Sequence, residues 1–264
     1  MNAQLDADFY ADVMSHAKSF EHRKLAHDSL VDIFDRYISK GATLPSLSPP
    51  VQIKYSPDSV YQLISWQVIG DQEAEITFGC FYCASDSSVI KFNDVSKFQS
   101  DQKFGSFGSN RWIGAVYTKL FHIPGLDSIW FAFGYNRINS FETLYIIEPI
   151  KVVGNKVMFG FPLFEDEEGS LQDRLIWKIS NGAVNPIDIA DSLNRIIAPH
   201  LAMVPYGSNQ QRSIHVPDGT YEYWEWDGEI WKYHERLYEQ RFQELIIDST
   251  KVRQEKRDLF GRKQ

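Results

Sequence analysis

The sequence predicts a mainly β protein: a large antiparallel sheet, sandwich or open barrel, with an N-terminal helical segment and a C-terminal helix. Three observations carry this. Aromatic residues make up 14% of the 264 residues, and large rings suit the pleated, half-buried surface of a sheet. From Val51 onward, about a dozen short apolar runs alternate with turn residues, and no long helical pattern separates them. Two stretches also read as tight hairpins: Val153-Gly154-Asn155-Lys156, and Asp227-Gly228 between aromatic strands, where glycine accepts a positive φ without steric cost. An irregular β-propeller is the alternative. Ser56-Pro57-Asp58 with Ile64-Ser65-Trp66, and Asp227-Gly228-Glu229-Ile230-Trp231, look like blade ends, but no further copy recurs at a steady period.

The elements follow in order. Residues 1–43 form a helical N-terminal segment. Phe9, Val13, Ala17 and Phe20, then Leu30, Ile33, Phe34, Tyr37 and Ile38, recur at spacings of three and four. Asp6 or Asp8 is placed to cap its start and Gly41 to close its end, over two short helices or one bent one. His16, His22 and His27 are expected on its exposed surface. Residues 44–50, Leu-Pro-Ser-Leu-Ser-Pro-Pro, make a proline-rich linker that favours extended backbone.

Residues 51–234 form the β domain. Strands are predicted at 51–55, 60–69, 73–83, 88–92, 111–122, 127–135, 141–153, 156–164, 173–179, 194–203, 220–226 and 229–234. The last two belong to an aromatic ribbon, Val216 to Tyr233, with Asp-Gly pairs at 218–219 and 227–228 reading as turns. On a strand, Tyr221 and Tyr223 face one way and Trp224 and Trp226 the other. Residues 235–264 supply the C-terminal helix, with Leu237, Tyr238, Phe242, Leu245 and Ile246 as its apolar stripe, and a basic tail, disordered beyond Asp258.

Charge narrows the function. With 27 Lys and Arg against 35 Asp and Glu, the net charge is −8, which argues against nucleic-acid binding. The tail is the exception, with six basic and two acidic residues from Lys251 to Gln264; it reads as a solvated terminus or a contact for an anionic partner. No apolar run is long enough for a transmembrane helix. The first residues pass straight into a polar helix with no signal-peptide pattern, which fits a processed, exported chain as well as a cytoplasmic one starting at Met1.

Chemistry-bearing residues are few. Cys80-Phe81-Tyr82-Cys83 is a C-x-x-C with no helix behind it to lower a thiol pKa. Cys80 and Cys83 read as buried inert thiols or, if a turn follows, as a candidate disulfide; the further ligands a zinc site needs are missing. Glu165-Asp166-Glu167-Glu168 reads as a solvated acidic loop, since four consecutive acids are not a calcium pattern. Tyr221, Tyr223, Trp224, Trp226 and Trp231, with Glu222, Glu225 and Glu229 among them, form a candidate ligand-binding surface of the kind carbohydrates use. Glu222 and Glu225 lie on opposite strand faces, so they do not make a glycosidase pair. His122, His200 and His215 have no informative spacing, and His200, after Pro199 in an apolar strand, reads as core-edge packing. There is no nucleophile elbow, phosphate loop, dinucleotide fingerprint or H-E-x-x-H motif. No catalytic residue, metal ligand or cofactor is assigned.

Four segments carry a resemblance: Ser56-Pro57-Asp58 with Ile64-Ser65-Trp66; Arg195-Ile-Ile-Ala-Pro-His-Leu201; Val216-Pro-Asp-Gly-Thr-Tyr-Glu-Tyr223; and Asp227-Gly-Glu-Ile-Trp-Lys-Tyr233. Across residues 50–234 they resemble an uncharacterised group of exported β-rich proteins of Bacteroidetes. The chain departs from that group after Trp66, where Gln-Val-Ile-Gly replaces a Trp-Asp pair and a Gly-Gly-Thr run. The resemblance implies a periplasmic or outer-membrane-surface location and no particular activity. The expected function is therefore a non-enzymatic cell-envelope protein that binds protein partners through residues 6–38 and 235–264. The alternative is a carbohydrate-binding or glycan-processing protein using the 221–233 ribbon.

Overall fold

The computed structural model describes residues 3–42, 47–56, 58–70, 74–83, 85–96, 102–126, 128–181, 187–190, 194–206 and 212–235. The C-terminal helix and basic tail expected from the sequence, and the partner surface assigned to them, lie outside these from residue 236 onward.

The N-terminal segment is two helices, α1 (Ala3–His16) and α2 (Phe20–Ile38). Ser19 separates them: its backbone is extended (φ −92°, ψ 144°), and its hydroxyl accepts a hydrogen bond from the His22 amide at 3.3 Å. That satisfies one of the amides a new helix leaves open. Asp8, expected as a cap, lies inside α1 and accepts instead from the Ser48 amide. Gly41, at φ +62°, turns the chain away after α2.

Among the described residues sixteen strands follow: β1 (Gln52–Tyr55), β2 (Tyr61–Ile69), β3 (Ala74–Cys83), β4 (Ser88–Lys91), β5 (Phe107–Gly108), β6 (Val116–His122), β7 (Trp130–Asn136), β8 (Glu142–Val153), β9 (Lys156–Phe159), β10 (Phe164–Glu165), β11 (Leu171–Gln172), β12 (Leu175–Ser180), β13 (Asp188–Ala190), β14 (Arg195–Tyr206), β15 (Arg212–Trp226) and β16 (Trp231–His234). They form three sheets. The first runs β1-β2-β3-β4, the second β5-β9-β8-β7-β6 with β12 also paired to β8, and the third β11-β10-β16-β15-β14-β13. All pairings are antiparallel except β10 with β16. The protein is thus mainly β, and its sheets pack face to face without closing into a barrel.

Alternation along the strands explains the stacking. In β2, Ile64, Trp66 and Val68 face the helices and pack on Ala26, Leu30, Ile33 and Phe34. Leu63, on the other face, packs with Phe81, Trp112 and Trp130 against the second sheet. The far side of that second sheet offers Phe131, Ile147 and Trp177 to Phe164, Trp224 and Trp231 of the third. The order of layers is helices, first sheet, second sheet, third sheet. Covered on both faces, β2 is buried along nearly its whole length, with polar Gln62, Ser65 and Gln67 included. The helical histidines divide. His27, expected on the surface, lies against the first sheet, where its Nδ1 accepts from Trp66 Nε1 at 3.0 Å and burial lowers its pKa.

Two bulges set which residues face which layer. Between Tyr117 and Lys119 the register of β6 on β7 shifts, so Tyr117 faces the first sheet while Phe121, four residues on, faces the third. In the β14–β15 hairpin the shift falls between Pro199 and Leu201. Opposite it lies Asp218-Gly219, with Gly219 at φ +93°. That pair, read from sequence as a turn, is a bulge inside one long strand. Asp227-Gly228 is a true hairpin turn: Asp227 Oδ1 accepts from the Glu229 and Ile230 amides, and Trp226 pairs with Trp231. Gly154-Asn155 likewise turns β8 into β9. The short strands β5, β11 and β13 were not legible, because two or three residues carry no periodicity.

A buried ion pair links the second sheet to the loop beside it. Arg174 and Glu148 are both fully buried, with Arg174 Nε donating to Glu148 Oε2 at 3.1 Å. The other Glu148 oxygen accepts from Tyr117 Oη, which in turn accepts from Trp112 Nε1. Arg174 Nη1 and Nη2 donate to the carbonyls of Gln102, Gly105 and Phe159. Gly160, at φ +83°, leaves the space the guanidinium fills: a Cβ there would sit 2.1 Å from Nη2. Arg174→Met strands the Glu148 charge and is expected to cost about 3–5 kcal/mol. Adding Glu148→Leu to it should recover much of that loss. Equilibrium urea unfolding measures both; a loss of less than about 1 kcal/mol in the single variant would show that the pair behaves like a surface one.

A candidate ligand-binding cleft on the third sheet

The network around Arg174 has a second effect. Its neighbour Asp173 accepts from the Gly105 amide (2.7 Å) and Ser106 Oγ (3.3 Å), and the Asp173 amide donates to the Lys103 carbonyl. These bonds pin residues 102–106 beside the third sheet. Lys103 and Phe104 thereby become one wall of a cleft of about 470 Å³. The 166–168 turn, shaped by Asp166 Oδ1 accepting from the Glu168 and Ser170 amides, supplies Asp166, Glu167 and Glu168 to another. Strands β12, β14, β15 and β16 contribute Trp177, His200, Glu222, Trp224 and Tyr233.

Glu222 is the most enclosed acid in this wall, 8% exposed. Its Oε1 accepts from Trp177 Nε1 at 3.3 Å and its Oε2 from Tyr233 Oη at 3.1 Å. Burial pushes its pKa up, with the Glu167 charge adding to the effect, against the pull of those two donors and His200. Burial also raises the Tyr233 phenol, with help from Glu222 and Glu167. Trp224 Nε1 is taken by the Glu165 carbonyl at 2.8 Å. Gln172 lies in the same wall, 4% exposed, and its Oε1 has no hydrogen-bond donor. The cleft therefore offers carboxylate and amide oxygens as acceptors, beside apolar surface from Phe104, Leu175 and Leu201, with Phe104 exposed. The indole donors are already committed.

At the rim, the β15 bulge brings Asp218 to His200. Oδ2 lies 2.6 Å from Nδ1. Asp218 Oδ1 also accepts from Thr220 N and Oγ1, and these bonds, then His200, hold its pKa down to about 2. His200 is raised, chiefly by its hydrogen bond to Asp218.

The predicted ribbon surface is divided by this arrangement. Trp224 reaches the cleft wall, but it is 4% exposed, so it offers an edge rather than an open face. Trp226 and Trp231 turn into the packing between second and third sheets, and Trp231 is fully buried beside Phe131 and Phe164. Tyr221 and Tyr223 take the other face of β15. Tyr223 stacks on His234 with centroids 4.5 Å apart, and the Arg195 guanidinium lies 5.0 Å from its ring. The five rings do not form one surface, because strand alternation and the inter-sheet core separate them. His200 is also corrected: it is a half-exposed acid partner, not a packing residue. The acidic loop, read as merely solvated, borders the cleft. Gln172, Trp177, Lys103 and Phe104 carried no sequence signal, since only tertiary packing brings them together.

Cys80 and Cys83 are free, buried thiols. Three residues apart on regular strand β3, their Cα atoms lie roughly 10 Å apart, beyond the reach of a disulfide. Burial pushes the Cys80 thiol up to about 12. Among the described residues, no group of three or more His, Cys, Asp and Glu side chains is placed to hold a metal ion, and no helix is long and apolar enough to cross a membrane.

The His200–Asp218 pair makes a pH prediction. Folding raises the His200 pKa above its ordinary 6.5, so the pair's contribution is complete below that value and vanishes as pH rises through the folded value. Being solvent-exposed, it adds little to stability. NMR titration should place the His200 imidazole above the ordinary 6.5, and Asp218→Asn should bring it back down; an unmoved His200 in that variant would refute the pairing. Comparison of the chain with protein-family models, characterised proteins and solved structures finds no match, so the cleft is interpreted from its own chemistry.

Proposed function

We propose that the chain is a binding protein for a hydroxyl-rich ligand, a carbohydrate, taken up by the cleft between residues 103–104, the 166–168 turn and β15. The observation behind this reading is that acid and amide oxygens outnumber the basic side chains, Lys103 and His200, in the cleft. Asp166, Glu167, Glu168 and Glu222 line it with oxygens, Gln172 Oε1 lacks a donor, and Phe104 presents an exposed ring beside them. A ligand must bring donors and an apolar face, and sugar hydroxyls over a C–H ring face bring both. Binding without hydrolysis fits the state of Glu222, whose two oxygens are already engaged by Trp177 and Tyr233.

Calorimetry with a panel of neutral oligosaccharides, and with spermidine as a cationic probe, tests this. A saturable sugar signal that falls about tenfold or more in Phe104→Ala and in Glu167→Gln, at unchanged melting temperature, supports the reading. Binding of spermidine alone would replace it with a cation site, and binding of neither would remove it.

A second reading, an exported envelope protein that docks on a protein partner, is favoured by the helical layer. Leu5 and Phe9 lie one turn apart on α1, 67% and 60% exposed, and Leu25 of α2 is 62% exposed. The resemblance to exported Bacteroidetes proteins supplies the envelope setting. A partner that co-purifies with the wild type should be lost in Leu5→Glu/Phe9→Glu, while sugar binding is unaffected. Retention of the partner by that variant would move the contact elsewhere.

A further inference from the structure

Two cavities meet at Ile69, Tyr135 and Arg137. One, of about 380 Å³, lies against the helical layer and is lined also by Ser15, Arg23 and Gln67. The other, of about 530 Å³, is lined by Asn139, Ser140, Thr143 and Asn181. Among the described residues neither wall carries an Asp or Glu, although the chain has 35 acidic residues to 27 basic ones. Two arginines thus share a groove that carries no acid among the described residues.

Both are held in place. Arg23 Nη1 donates to the Ala17 carbonyl at 3.0 Å and Nη2 to that of Gly70 at 3.4 Å. Its Nε is buried with no acceptor, and a buried charged donor left unpaired is costly. Arg23 also stands in the first turn of α2, where the helix dipole adds positive potential. Arg137 is fixed through its backbone. Gln67, 4% exposed, accepts from the Arg137 amide at 3.2 Å and donates to Asn136 Oδ1 at 2.8 Å. The Arg137 side chain itself is exposed and makes no ion pair among the described residues. The half-buried Tyr135 lies between the two cavities as a further hydrogen-bonding group.

We propose that this groove is an oxyanion site, taking a phosphate or carboxylate group on Arg137 beside the guanidinium of Arg23, whose Nε is unpaired among the described residues. Guanidinium groups suit these groups through paired, charge-assisted hydrogen bonds. The fixed backbone at residues 136–137 and the anchored Arg23 reduce the ordering cost of binding. The site is separate from the acid-lined cleft and stands whether or not that cleft binds sugar.

Calorimetry at constant ionic strength with inorganic phosphate and with succinate, against chloride as background, tests the site on the full chain. Saturable binding of at least one probe is expected, and which one responds distinguishes phosphate from carboxylate ligands. Arg137→Gln should weaken that binding about tenfold or more without changing the melting temperature in chloride, because its exposed side chain makes no ion pair among the described residues. Arg23→Lys keeps the charge but removes Nε, and should weaken binding too. Absence of saturable binding for both probes, or equal affinity in the wild type and Arg137→Gln, would overturn the proposal.

Discussion

The third sheet owes its cleft to the Arg174–Glu148 pair. A guanidinium and a carboxylate buried without exposure are tolerable only when each hydrogen-bonding position has a partner. Glu148 uses Arg174 and Tyr117; Arg174 uses Glu148 and the carbonyls of Gln102, Gly105 and Phe159. The Gln102 and Gly105 carbonyls belong to a loop with little regular structure of its own, and that of Phe159 ends β9. Satisfying the arginine therefore fixes the loop, and the loop places Lys103 and Phe104 at the cleft. The polar need of one buried side chain becomes the position of two surface ones.

Around that point the architecture follows from sheets buried on both faces. The second sheet is covered by the first on one side and the third on the other, so its strands need apolar residues at nearly every position. The bulge beyond Tyr117 changes the face presented, letting Tyr117 serve the polar network and Phe121 the opposite core. The bulge at Asp218-Gly219 does similar work on the third sheet. It interrupts the ladder at His200 and brings an aspartate against it. The first bulge serves a polar group inside an apolar layer, and the second places one at the exposed rim of the cleft.

The two grooves are opposite in charge. The cleft gathers carboxylates around rings, while the groove between α2, β2 and β7 gathers two arginines and no acid among the described residues. Separating the signs this way keeps each from neutralising the other, at the cost of unpaired polar atoms in both: Gln172 Oε1 in one and Arg23 Nε in the other. Buried groups without partners are uncommon in folded proteins, and both lie in walls that a ligand could complete.

By itself, the sequence determined the local terms. Its short apolar runs marked the longer strands, Gly154-Asn155 and Asp227-Gly228 marked two turns, and the three- and four-residue spacing marked a helical N-terminal segment, as two short helices or one bent one. These depend on neighbours in the chain, so they are legible there. Tertiary structure alone decided that Asp218-Gly219 is a bulge, that His27 serves Trp66, that the aromatic ribbon is divided between two faces, and that Cys80 and Cys83 stay apart. It also decided both grooves. Gln172 and Glu222 line one cleft, and Arg23 and Arg137 one groove, only because segments far apart in the chain are folded together, and no spacing along the chain encodes that.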